Sequence, residues 1–199
     1  MASEIGYRYL KTFQLGTVIY DLTVKFCNRY YCGRDNLRIR EQMVHAGRSG
    51  KQNIAEGYME KSLKSYIYLL GVSRASFGEL LEDYLDYARQ WKVPVWNKDD
   101  PRAREFRSSR YLGGVGSGMA GISGIGNDSA GSFPAPDTPD IPDSPEVAVN
   151  LMITLLNQET YMLDRQIAAL EKKFVVEGGY TENLFKQRME QRKKDEQKV

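Results

Sequence analysis

The sequence predicts an all-α protein, an antiparallel up-and-down four-helix bundle with a long disordered Gly/Pro-rich insert between its third and fourth helices. Four long stretches repeat apolar residues at i, i+3, i+4 and i+7, and no stretch alternates convincingly as a half-buried strand does. The insert is marked by composition. Eight glycines lie between Gly113 and Gly131, and five prolines follow between Pro134 and Pro145. Such a run has too little apolar surface to offset the entropy of ordering it. With 199 residues and no internal repeat, the chain suffices for one cored domain plus appendages.

The first helix is carried by Leu15, Val18, Ile19, Leu22 and Phe26 and should end near Tyr31, with Gly33 as its stop signal. Asp35 or Asn36 can cap the second helix, which runs to about Lys61. Ser62 or Ser65 can start the third. Its Tyr66, Leu69, Leu70, Phe77, Leu80, Leu81, Tyr84 and Ala88 hold one face as far as Trp91, and Pro94 should terminate it. Residues 97–111 are polar and rich in arginine. The fourth helix should start at Pro145 or Glu146 with Ser144 as cap, since proline suits the first helical position and an acid suits the N-terminal dipole end. Leu151, Leu155, Leu156, Met162, Leu163, Ile167 and Leu170 supply its core face up to Phe174, before Gly178-Gly179. The predicted division is thus 1–112, three helices with an Arg-rich connector; 113–146, the insert; 147–175, the fourth helix; and 176–199, a charged tail or frayed helix.

The second helix is unusual because it keeps glycines. At about 100° per residue, Ile39, Met43, Ala46, Gly47, Gly50, Ile54 and Gly57 fall in one stripe. Each interior glycine costs a helix roughly 1 kcal/mol against alanine, so the loss must be recovered through close contact with another helix, expected to be backbone to backbone. Asn53 and Glu56 lie at the edge of that stripe. They read as polar groups fixing registry or, alternatively, as part of a small-molecule or metal site with core tyrosines.

Composition excludes several classes. No apolar run spans a membrane, and the N-terminal residues lack a signal-peptide pattern, so the expected location is cytoplasmic. Cys27 and Cys32 fit neither a disulfide framework nor zinc spacing. A two-metal carboxylate site needs two Glu-x-x-His motifs, and the chain has one histidine, His45, four residues after Glu41. No nucleophile-elbow motif accompanies it, so the expectation is a protein that is not an enzyme and needs no cofactor or metal. Gly116-Ser117-Gly118-Met119-Ala120-Gly121 matches a dinucleotide-binding pattern, but it has no strand before it and sits in low-complexity sequence.

Charge is segregated. Residues 1–112 hold 19 basic and 13 acidic side chains, residues 113–146 hold five acids and no base, and residues 147–199 hold nine bases and eight acids. Arg40, Arg48 and Lys51 share a flank of the second helix, and Arg102, Arg104, Arg107 and Arg110 form a second cluster near Phe106 and Tyr111. Both are candidates to meet the phosphates of RNA or DNA, with a solvated surface as the plainer reading. On the third helix Glu79, Glu82, Asp83 and Asp86 make an acidic face. A basic flank on one helix and an acidic one on the next suit a head-to-tail oligomer interface, which closes into a ring when its rotation permits.

The residues Gln42, Ala46, Ser49 and Asn53-Ile54-Ala55-Glu56-Gly57 resemble the signature of the four-helix-bundle proteins encoded in intervening sequences of bacterial 23S ribosomal RNA genes. Ser65-Tyr66-Ile67-Tyr68-Leu69-Leu70 and Ser76-Phe77-Gly78-Glu79-Leu80 look like that family's third helix. The accessory variability determinant proteins of diversity-generating retroelements are similar and share the bundle. The resemblance covers about residues 12–92. It implies a homo-oligomer, commonly a barrel-like pentamer, without established catalysis; in the retroelement relatives the bundle binds a reverse transcriptase and nucleic acid. This chain has Val44 and His45 where relatives often carry two arginines, and Gly50-Lys51 where Ile-Pro is usual. The combined expectation is a self-associating scaffold or accessory protein without a membrane partner.

Overall fold

The computed structural model describes residues 6–108 and 138–196, and among these every regular element is helical. The helices are α1 (Lys11–Tyr30), α2 (Leu37–Met59), α3 (Leu63–Gln90), α4 (Pro101–Ser108), α5 (Pro145–Glu177) and α6 (Tyr180–Glu196), with single 3-10 turns at Gly6–Tyr9 and Arg34–Asn36. α1 packs on α2, α2 on α3, α3 on α5, and α5 back on α1, so the long helices enclose one core; α4 lies on α5.

That core is largely the set of residues chosen by helical periodicity. Leu15, Ile19, Leu22 and Phe26 of α1 meet Met43 and Ile54 of α2, Leu70, Phe77, Leu80 and Tyr84 of α3, and Leu151, Leu155, Leu156 and Leu163 of α5. At one end Thr12 Oγ1 donates to Gln166 Oε1 (2.9 Å), and Gln166 Nε2 donates to the Tyr66 hydroxyl (2.7 Å), joining the beginnings of α1 and α3 to the later part of α5. At the other, the Phe26 ring meets the rings of Tyr30, Tyr31, Tyr84 and Tyr87. Edge-on aromatic pairs contribute about 0.5–1.5 kcal/mol each beyond their area, so this cluster clasps the ends of α1 and α3.

Helix boundaries follow the local signals with instructive exceptions. Gly33 adopts a φ of 101°, and Ser144 caps α5 by accepting from Val147 N, with Pro145 in the first turn. Asn36 occupies the N-cap of α2 without capping it: its side-chain amide donates backward to the Cys32 carbonyl (2.9 Å), and Asp35 is exposed. α3 stops before Pro94 acts. Lys92 takes a φ of 54°, Lys92 N donates to Arg89 O (3.4 Å) and Val93 N to Ala88 O (2.8 Å), the paired bonds of a Schellman end.

Two segments depart from the sequence reading. Residues 101–108, expected as connector, form α4, because Asp100 Oδ1 accepts from Arg102 N (2.9 Å) beside Pro101 and Ala103 is buried. The last part of the expected disordered insert, residues 138–144, is a strap on α1. Lys25 Nζ donates to the carbonyls of Thr138 (3.0 Å) and Pro139 (2.9 Å), Tyr30 Oη donates to Pro142 O (2.6 Å), and Ile141 is buried. The remainder of that insert, 113–137, and Arg110 lie outside the described residues. With α4 covering it as well as α1 and α3, α5 buries every residue from 148 to 156, more than a single core face. The segment expected as a charged tail or frayed helix forms α6 over Tyr180–Glu196, none of whose residues is buried.

Candidate functional site

The glycine stripe of α2 faces aromatic rings more than backbone. A Cβ built on Gly50 would lie 2.7 Å from Cε2 and Cζ of Phe77, and one on Gly57 would lie 2.8 Å from Tyr66 Cδ2. Gly47 has more room, with Leu80 Cδ2 and the Tyr20 Cα each 3.5 Å away. The expected backbone contact is therefore corrected: at Gly50 and Gly57 the missing side chain makes space for a ring from α3. Ser73 Oγ donates to the Gly50 carbonyl (2.7 Å), and the Ser49 and Ser76 hydroxyls are 3.0 Å apart, so polar links also tie α2 to α3 here.

Asn53 serves its own helix, its amide donating to Ser49 O (2.8 Å) and Ser49 Oγ (3.2 Å), while Glu56 is exposed. These two residues therefore do not converge on a core ligand with the tyrosines.

The acidic face divides in two. Asp86 accepts from Arg89 of its own helix (2.8 Å). Asp83 is half-buried, and its carboxyl is pushed up to about 6, first by burial and then by repulsion from Asp86 and Glu79. Asp83 and Glu79 line one side of a groove of about 630 Å³, with Arg38, Glu41 and His45 of α2 on the other. Glu82 is exposed beside it.

The basic candidates are mostly engaged within the chain. Arg40 Nη2 donates to Asn28 Oδ1 (2.7 Å), and Lys51 Nζ stands 4.6 Å above the Tyr20 ring; Arg48 is exposed. Arg102 stacks 3.8 Å over the Trp96 ring and pairs with Asp100 (2.9 Å) and Glu146 (3.3 Å), which also accepts from Trp96 Nε1 (2.6 Å). The Arg102 hydrogen bond holds the Asp100 carboxyl below its ordinary range. Arg104 pairs with Asp99 (3.4 Å), and Arg107 donates to the Lys98 carbonyl. These contacts tether α4 to its preceding loop and to α5. The signal for that role lies in Asp99-Asp100-Pro101, a pair of acids and a first-turn proline immediately before the arginines.

Among the described residues no group of three or more His, Cys, Asp and Glu side chains is placed to hold a metal ion, and no helix is long and apolar enough to cross a membrane. Cys27 is buried 3.9 Å from Met43 Sδ, its thiol pushed up to about 12 chiefly by burial, whereas Cys32 is exposed. One buried acid lies outside every motif: Glu159, at the helical spacing of Leu155, Leu156 and Leu163, a position legible from periodicity. No protein-family model, curated protein or solved structure matches this chain.

Proposed function

We propose that the chain is a non-catalytic cytoplasmic scaffold that assembles with copies of itself, its long helices in the antiparallel up-and-down order of a four-helix bundle. In this reading it is an accessory factor for a nucleic-acid-processing partner such as a reverse transcriptase, and the assembly is the ring-shaped pentamer that its α2 signature implies. The contacts of Thr12, Gln166 and Tyr66 at one end support the helix order.

The observation that carries self-assembly is the acidic flank of α3, where Glu79 and the half-buried Asp83 line one side of the groove and Glu79 and Glu82 are exposed. Burial first, and then the nearby Asp86 and Glu79, raise the Asp83 carboxyl, so a cation arriving at this flank meets acids that lie close together. Arg48, exposed on α2, belongs to a different patch of the same surface and offers such a charge. A contact between two different patches is head-to-tail and generates a ring where its rotation closes. The exposed apolar side chains Val175, Val176 and Phe185 add further surface that self-association can cover.

Light scattering tests the assembly: the double variant Glu82→Lys/Asp83→Lys should lower the particle mass to that of one chain, and an unchanged mass refutes the interface. Nucleic-acid binding is tested on the same protein by gel shift across a salt series. Binding should weaken steeply as salt rises, through release of counterions from the phosphates. Absence of any shift at low salt removes the nucleic-acid part of the reading.

A further inference from the structure

Glu159 lies near the middle of α5, one turn after Leu155 and Leu156 and one turn before Leu163, and all four side chains have no exposed area. Both carboxyl oxygens are shut off from solvent, and neither has a hydrogen-bond partner among the described residues. An ionised carboxylate with no water and no counter-charge is among the costliest groups to bury, and such a group neutralises instead.

Among the described residues the neighbouring elements do not supply the missing charge. On α1, Asp21 accepts from Thr138 and Lys25 is committed to the strap and Asp140. On α3, Arg74 pairs with Asp164 of α5 while Glu79 and Glu82 are exposed. On α4, Arg102 and Arg104 hold Asp100 and Asp99. Burial is accordingly the cause that raises the Glu159 carboxyl well above the ordinary glutamate range, with no charged group among the described residues contributing.

We infer that Glu159 is a proton-binding site inside the core: the native chain holds this side chain as the neutral acid at neutral pH, and each chain that folds takes up one proton there. The site couples the packing of α5 to pH. Because the native form binds the proton more tightly than the unfolded chain, its stabilising effect is complete below the ordinary value of 4.5. It is lost progressively as pH rises toward the native value. Over that interval the folding constant carries a tenfold decrease per pH unit from this one group.

Two measurements on the full chain test the site. Urea unfolding is followed between about pH 5 and 8 for the wild type and for Glu159→Gln, which removes the titration at nearly constant shape. As pH rises, the ratio of the two folding constants should shift in favour of Glu159→Gln by up to tenfold per pH unit, since other titrating groups cancel in the comparison. Parallel curves overturn the inference. Infrared spectra of the wild type supply the second measurement, independent of whether the variant folds. A protonated-carboxyl carbonyl band should be present at neutral pH in the native protein and vanish on unfolding, and a native spectrum without that band overturns the assignment.

Discussion

Replacing Gly50 with alanine tests the α2–α3 seam directly. The added methyl would stand 2.7 Å from two carbons of the Phe77 ring and 2.8 Å from a third. Ordinary carbon contacts lie at about 3.5–4.0 Å, so ring or helix must retreat by about 0.8 Å. The ring has little room, because its Cζ also lies 3.1 Å from where a Cβ on Gly16 would stand, and Phe77 is fully buried. Overpacking of a tight core costs about 1–3 kcal/mol. Alanine contributes about 1 kcal/mol of helix propensity in return. The expected result is a net loss of about 1 kcal/mol, or a melting temperature lower by roughly 2–4 °C for a chain of this size. Gly47→Ala is the control in the same helix: its nearest neighbours at 3.5 Å are ordinary contacts, so it should gain about 1 kcal/mol. Urea unfolding followed by far-ultraviolet circular dichroism reads both. Equal stability of the two variants would show that Phe77 does not set the seam. Gly50→Leu should cost more than Gly50→Ala, and shortening the ring with Phe77→Leu should recover part of the Gly50→Ala loss.

Thiol chemistry separates the two cysteines. Cys32 should react with an aromatic disulfide reagent within the mixing time of the native protein, while Cys27, buried and with its thiol held protonated, should react only at the rate of opening; two fast thiols per chain would contradict the packing of α1 on α2. Asp83 gives a pH signature. Its raised carboxyl stabilises the native state fully below the ordinary value of 3.8, and that effect is lost as pH rises through about 6. Asp83→Asn should therefore flatten the decline in stability between about pH 4 and 6, and identical slopes for the two proteins would refute a carboxyl raised by burial and by its acidic neighbours.

Helix identity is local information, so most of the architecture is legible in the sequence. The 3.6-residue repeat selects Leu15 to Phe26, Met43 to Ile54, Leu70 to Tyr84 and Leu151 to Leu170, and these residues form the core. Ser144 with Pro145, and Gly178 with its φ of 76°, bracket α5 through the dihedral preferences of single residues. The short α4 is harder to read, since its eight residues bury only Ala103 and leave almost no periodic signal, although Asp100-Pro101 announces its start.

Partnership is not local, and there the sequence by itself stops. That α2 carries small residues for close packing is determined by its stripe; that Phe77 and Tyr66 fill the space at Gly50 and Gly57 is decided by the register of α3. The arginines of 102–107 read as free charge until Trp96 and Glu146, brought together across a separation of 50 residues, take Arg102 between them. Lys25 likewise meets Asp140 only because α1 and the strap are packed side by side. A side chain's charge is set by its chemistry, but its partners, and at Glu159 its proton, are set by distances that exist only once the helices have come together.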